Sequence, residues 1–256
     1  MLSKLFVLVG LLLPVLLVSA SPTPDFNEEL TRATPLAQVI TSCTVPGTAA
    51  LTFDDGPYEY INYISNQLTA AGAKGTFFWN GNNYGCIYSE TDVKRVKYAY
   101  SQGHQVASHT WSHSDLTTLT FDQIHDEMWR VEQALQRILG VTPAFMRPPY
   151  GNYNDLVRQV AKQRGQKVVV WDFDSGDSVG KTAAQSDAAY DALAKKHPST
   201  VLALNHEVYK TTAYTVVPHA IKTLQKAGYK LVTVAECMGM QPYQSVGKPQ
   251  TGSWTC

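Results

Sequence analysis

Short apolar runs recur along the chain, with helical stripes between them. The runs cover residues 49–53, 75–79, 105–108, 144–146, 167–171, 200–204 and 230–234. Most lack the apolar–polar alternation of a half-exposed strand, so they read as strands of a parallel sheet buried on both faces. The clearest helix starts at Thr120, where Thr120 and Gln123 carry a capping-box signature. Ile124, Met128, Val131, Leu135 and Ile138 then form one stripe, and Gly140 ends it. Ile61, Ile64 and Leu68 mark a second helix that stops at Gly72, and Ile221 and Leu224 a third that stops at Gly228. Seven such alternations between residues 48 and 236 predict one right-handed parallel α/β domain. Periodicity does not separate an open sheet from a barrel, and the span is short of the roughly 250 residues of a regular eightfold barrel.

The N-terminal region departs from this rhythm. Residues 1–20 begin with a short basic stretch ending at Lys4, continue as an apolar run from Leu5 to Val18 and finish on Ser19 and Ala20. That pattern predicts a secretory signal; the run is short for a membrane span, and no later stretch is long and apolar enough to be one. Residues 21–42, with Pro22, Pro24 and Pro35, read as a polar leader or propeptide, leaving 43–256 as the folded domain.

Charge narrows the choice of partners. The 21 basic and 21 acidic side chains balance, and no Lys/Arg stripe exists to follow a phosphate backbone. Nucleic acid is therefore excluded and a neutral substrate favoured. Four cysteines, an even count, fit disulfides in a secreted chain, with three pairings open. Cys43 precedes the first strand and Cys237 follows the last, so Cys43–Cys237 is the favoured bridge and Cys86–Cys256 the remaining one. No C-x-x-C pair is present to make a structural zinc knot.

The reactive side chains fall at the carboxyl ends of predicted strands. Asp54 and Asp55 follow the first, His109 the third, Arg147 the fourth, Asp174 the fifth and His206 the sixth. In β/α folds those ends share one face, where active sites are built. His109 and His113, four residues apart, are expected to meet on one face of a helical turn. Two imidazoles and one carboxylate make a usual protein ligand set for catalytic zinc, with a position left for water. Cobalt or nickel also suits such a set. The pattern is not H-E-x-x-H, because Thr110 stands where the base would be. The second carboxylate must supply the base, and Asp54 is the candidate.

Arg147 precedes a stiff Pro148-Pro149 pair. It is expected to hold a carboxylate bidentately, with the backbone N–H of Tyr150 fixed as an oxyanion donor. Asp174 and Asp177 lie in one acidic loop, and Asp174 is expected to orient His206 for acid catalysis. His104, His125, His197 and His219 read as structural.

Taken together, Thr52–Gly56, His109–His113, Arg147–Tyr150, Asp174–Asp177 and Leu204–His206 resemble, in order, the five motifs of the NodB-homology polysaccharide deacetylases, carbohydrate esterase family four. The resemblance runs from about Val45 to Cys237, and the local wording is most similar to secreted fungal chitin deacetylases. It implies a distorted (β/α) barrel with about seven parallel strands and a catalytic domain over 43–256. It also implies metal-dependent removal of N-acetyl groups from N-acetylglucosamine residues of chitin or chitooligosaccharides. In this likeness Asp54 is the base, Asp55, His109 and His113 hold the metal, His206 is the acid, Arg147 tethers Asp54, Asp174 supports His206 and Leu204 meets the acetyl methyl. Ser178 stands where the family usually has an aromatic residue, leaving one groove wall to be supplied elsewhere. Trp79, Tyr84 and Trp111 are candidates for sugar stacking, with Trp79 better placed as core. The same machinery also serves O-acetyl xylan or peptidoglycan sugars, and a chitin-binding protein of weak activity is the non-enzymatic alternative. A monomer, secreted or at the cell wall, is expected, with no membrane partner.

Overall fold

A computed structural model describes residues 35–256. The expected signal at 1–20, and the expected leader as far as residue 34, lie outside the described residues. From residue 35 onward the chain packs into the fold, so the leader expected to extend to residue 42 overlaps it. Ala37 is buried, and strand β1 (Val39–Ile40) is paired.

The described residues form eleven strands in chain order: β1, β2 (Thr48–Asp54), β3 (Gly75–Trp79), β4 (Gln105–Ser108), β5 (Val141–Pro143), β6 (Phe145–Met146), β7 (Lys167–Val169), β8 (Phe173–Asp174), β9 (Val201–His206), β10 (Lys230–Leu231) and β11 (Tyr243–Val246). Nine of them form one sheet, ordered β1-β7-β6-β4-β3-β2-β9-β8, with β10 also on β2. Every pairing in that sheet is parallel. β7 and β8 lie in one stretch of chain, separated only by residues 170–172. That stretch pairs with β6 at its start and with β9 at its end, so it joins the two ends of the sheet into the distorted barrel the motifs imply. β5 and β11 form a separate antiparallel pair.

The helices are α1 (Ile61–Ala70), α2 (Glu90–Ser101), α3 (Phe121–Leu139), α4 (Asp155–Gln163), α5 (Ala183–Lys196), α6 (Val217–Lys226) and the short α7 (Val234–Met238). The α3 signals hold as read: Thr120 and Gln123 form a reciprocal capping box, and Gly140 closes the helix in the left-handed region at φ 81°. The expected strand at 230–234 stops at Leu231, because Thr233 caps α7 through a capping box with Glu236.

β2 shows how the barrel sorts its side chains. Leu51 and Phe53 enter the layer that also holds Ile61, Ile64 and Leu68 of α1. Ala50 points the other way, into a small inner cluster with Phe78, Ala107 and Phe145. Thr52 and Asp54 share the face of Ala50 by the two-residue repeat of a strand, which puts a carboxylate at the rim of the barrel interior. Two disulfides cross-link the fold: Cys43–Cys237, buried in that inner cluster, and Cys86–Cys256.

Candidate active site

Register brings the reactive residues to one rim. Asp54 and His206, the last residues of β2 and β9, are direct partners across that ladder. Ser108 of β4 and Met146 of β6 are also partners, so the next residues in sequence, His109 and Arg147, emerge side by side.

Arg147 is fully buried and connects two parts of the site. Its Nη1 donates to Asp54 Oδ1 at 2.8 Å and to Thr52 Oγ1 at 2.7 Å, while Nε and Nη2 donate to the carbonyls of Val169 and Val170. The grip on Asp54 is therefore single rather than bidentate, because the other donors satisfy the chain between β7 and β8. Its guanidinium also lies 4.2 Å from the centre of the Phe78 ring. Through its main chain the same residue accepts a hydrogen bond from His109 Nδ1 at 2.8 Å. That bond fixes the His109 tautomer and leaves its Nε2 lone pair facing the centre of the site. Burial keeps His109 below the ordinary histidine range, outweighing the pull of Asp54 and Asp55, so the imidazole is neutral and able to ligate.

His113 joins His109 by a different route from the expected helical turn. Residues 109–113 form a loop in which Thr110 (φ 72°) and His113 (φ 60°) adopt left-handed conformations. Asp55 does the same at φ 75°. In an extended strand adjacent side chains point to opposite faces; the reversal at Asp55 lets both carboxylates turn toward the imidazoles. His109 Nε2 lies 3.7 Å from Asp54 Oδ2 and 3.5 Å from Asp55 Oδ1, and His113 Nε2 lies 3.3 Å from the same Asp55 oxygen. Burial raises the Asp55 pKa, but the approach of the His113 imidazole and the positive charge of His206 outweigh it and hold the group ionised.

These residues fit a cation. One atom from each of Asp55, His109 and His113 lies within 4.8 Å of the others. Asp55 Oδ1 is buried without a hydrogen bond, an expensive state for a carboxylate oxygen that has no counter-charge on it. A divalent ion among the three would satisfy that oxygen, and the set of two imidazoles and a carboxylate suits zinc.

The acid side of the site is assembled by a different aspartate from the expected one. Asp177, not Asp174, supports His206. His206 Nδ1 donates to Asp177 Oδ1 at 2.8 Å, while the His206 N–H and the Thr212 hydroxyl donate to Asp177 Oδ2 at 2.7 and 2.8 Å. Asp174 instead accepts from the Gly176 N–H two residues on, closing its own loop, and its side chain lines the cleft. Burial disfavours the charge on His206. The Asp177 hydrogen bond and charge, followed by the charges of Asp54 and Asp55, more than compensate and push its pKa to about 9. His206 is thus a charged imidazolium at neutral pH, with its remaining N–H free to donate.

The cleft above these groups measures about 440 Å³ and includes Tyr150, Leu204, Trp171 and Tyr209 in its walls. Leu204 is nearly buried and offers an apolar floor beside His206. The ring of Tyr150 is exposed and meets His113 edge-on at 4.8 Å. Ser178 does border the cleft without an aromatic ring, and Trp171, packed against Gly151, lines the same cleft. Trp111, expected to stack on sugar, is only 4 % exposed. It packs beneath Gly81 and under the Arg130 guanidinium, away from the cleft. Trp79 is core, and its indole N–H donates to Glu207 Oε2 at 3.0 Å.

Glu207 is the buried group that sequence reasoning missed. It accepts from the Tyr58 N–H at 2.8 Å as well as from Trp79, and its own N–H donates to the Asp54 carbonyl at 3.2 Å. Burial pushes its pKa to about 8. Its carboxyl group fills the space a Cβ on Gly56 would need, which explains the glycine after the two aspartates. A charged residue directly after a strand-end histidine was the available signal. For Asp177, inside the 174–177 motif, and Trp171, at the end of the apolar run 167–171, no sequence signal ranked them above their neighbours.

A profile of the polysaccharide deacetylase family matches residues 41–169, which include the Asp54–Asp55 turn, both histidines and Arg147. The chain belongs to the polysaccharide deacetylase family. Among curated relatives, a chitin deacetylase of Pestalotiopsis sp is 37% identical over 87% of this chain and 74% of its own length. A probable peptidoglycan-N-acetylglucosamine deacetylase of Arthroderma benhamiae is 39% identical over 82% of this chain, which spans 48% of that relative. Among solved structures, the chitin deacetylase of Colletotrichum lindemuthianum superposes with a TM-score of 0.78 at 31% identity, covering 82% of this chain and 96% of that one. The chain thus shares its fold with a chitin deacetylase, and the family match itself contains Asp54, Asp55, His109, His113 and Arg147.

Proposed function

We propose that the protein is a zinc-dependent N-deacetylase of chitin or chitooligosaccharides that releases acetate and leaves glucosamine units. The observation that carries this reading is the convergence of Asp55, His109 and His113 in one cleft with a tethered carboxylate, Asp54, and a charged imidazole, His206. Asp55, His109 and His113 would hold the zinc, which when bound supplies Lewis-acid polarisation of the acetamide and a water more acidic than bulk. Asp54, fixed by Arg147, accepts a proton from the attacking water. The Tyr150 N–H is assigned to the developing oxyanion. Leu204 meets the acetyl methyl, and His206, held by Asp177, delivers its proton to the departing nitrogen. The neutral balance of charge fits an uncharged glycan. The two disulfides fit secretion to an oxidising compartment such as the cell wall, and a monomer contains every group named.

Mass spectrometry of products from an N-acetylglucosamine pentamer, beside acetate release from acetylated xylan and from peptidoglycan, tests the reading. Deacetylated pentamer with little acetate from the other two is the expected result. Preference for either of the other two reassigns the substrate, and binding of pentamer without any acetate release removes the enzyme altogether.

A further inference from the structure

Two elements grip the loop that carries the imidazoles. The segment after β3 takes its first three carbonyls. Asn80 Nδ2 donates to those of His109 and Thr110 at 2.6 and 3.0 Å. The N–H groups of Gly81 and Asn82 donate to that of Trp111 at 3.0 and 2.7 Å. That hold ends at Trp111. The next N–H, of Ser112, turns instead to α3 and donates to Glu127 Oε2 at 2.8 Å, while the Ser112 hydroxyl donates to Glu127 Oε1 at 2.6 Å. One turn further along α3, the Arg130 guanidinium lies 3.9 Å from the centre of the Trp111 ring.

Ion pairing along the helix does not account for Glu127. Its neighbour Asp126 is the residue that approaches Arg130, at 3.8 Å, and both Glu127 oxygens go to Ser112. α3 is a firm base for such a grip, since Ile124, Met128 and Val131 fix it in the core. The need for the grip lies in the next residue. His113 sits at φ 60°, a left-handed conformation that persists outside glycine only where the surroundings impose it. The two imidazoles also differ in ring support. A metal-ligating histidine is usually oriented by a partner on its other ring nitrogen. His109 has one in the Arg147 carbonyl. Among the described residues the His113 ring has only its 3.3 Å approach to Asp55, on the ligating side. The direction of the His113 ring is therefore left to its backbone, and the backbone entering it is held at Ser112 by Glu127.

We propose that Glu127 is a positioning residue for His113, keeping its Nε2 beside Asp55 Oδ1 so that one cation can be shared with His109. Glu127 acts through Ser112 and His113 alone. The proposal rests on the zinc reading above and adds to it a residue of α3 that lies outside the five sequence motifs.

The test measures the zinc Kd of wild type, Glu127→Ala and Glu127→Gln by competition with a chromophoric chelator, beside the thermal midpoint of each zinc-free protein. Glutamine can keep both bonds, accepting from the Ser112 N–H through Oε1 and donating to Ser112 Oγ through Nε2, yet it carries no charge. It therefore separates positioning from the attraction of a nearby carboxylate for the cation. Alanine is expected to raise Kd about tenfold, the lower end for loss of a group that orients a metal ligand. Its zinc-free midpoint should stay close to wild type, and excess zinc should restore its acetate release. Glutamine is expected to retain most of the affinity. An alanine variant with the wild-type Kd overturns the positioning role and leaves the zinc site intact. A glutamine variant as weak as alanine assigns the effect to charge and overturns it too. A zinc-free alanine variant that melts well below wild type makes Glu127 a support of the fold, which also overturns it. Wild type that binds no zinc overturns the metal reading and, with it, this proposal.

Discussion

Asp177 sets the working range of the acid. His206 is held charged to about pH 9 by the Asp177 hydrogen bond against the opposing effect of burial, with smaller help from Asp54 and Asp55. A general acid must carry its proton, so turnover should persist below that value and fall as pH rises through it. The same shift stabilises the fold: the folded-state pKa lies above the ordinary value, so this contribution is complete below about pH 6.5 and is lost as pH rises through about 9. Asp177→Asn removes the carboxylate charge and should move the alkaline limb of kcat/KM down toward the ordinary histidine value. An unmoved limb would assign the proton transfer to another group. Asp54→Asn, which leaves the three cation-holding residues in place, should keep bound zinc and lose on the order of 10²–10⁴ in kcat, the usual contribution of a general base. Zinc content and acetate release on one sample check both halves of that statement. At this scale the residue types and their positions were readable from sequence, because each reactive group follows a strand. Which of Asp174 and Asp177 faces His206 was not readable, since that depends on how a Gly-containing loop folds back on Thr212.

Strand register and three left-handed residues make the site work as a unit. β2 and β9 set Asp54 opposite His206, while Asp55, Thr110 and His113 turn the chain where extended or helical backbone would have sent the ligands apart. Gly56 lies at the junction, with the Glu207 carboxyl group where a side chain would be. Gly56→Ala should therefore force the Asp54–Tyr58 turn away from Glu207. That overpacking is expected to destabilise the fold by about 1–3 kcal/mol and to lower kcat/KM along with the thermal midpoint. A variant with wild-type stability and activity would show that the turn is free to move. Apolar runs identified the central strands because those strands are buried on both faces. They missed β1, β5 and β8, which hold two or three residues, too few to show a period, and the largely exposed β11. They also ran past the end of β10, where Thr233 has the composition of a strand residue but acts as a helix cap.

The barrel as a whole depends on closures that are distant in sequence. Cys43 and Cys237 lie 194 residues apart, and their bond ties the entry of the first long strand to the last helix. Replacing both with serine should cost about 2–5 kcal/mol, the usual range for a native disulfide, and thermal unfolding of the double variant against wild type measures it. The fold class and the shared active rim were legible from the alternation of strand and helix. Closure of the barrel was not, because it rests on a single stretch, 167–174, changing partners from β6 to β9, and no local pattern encodes that. Catalysis in this barrel depends on one cation held by Asp55, His109 and His113 if the proposed function is right. Titrating chelator-treated protein with zinc, while following acetate release from N-acetylglucosamine pentamer, tests this most directly. The predicted result is no release at the start, then release rising to a plateau at one zinc per chain, with His109→Ala abolishing both binding and release. Full release from the chelated protein before any zinc is added would contradict it.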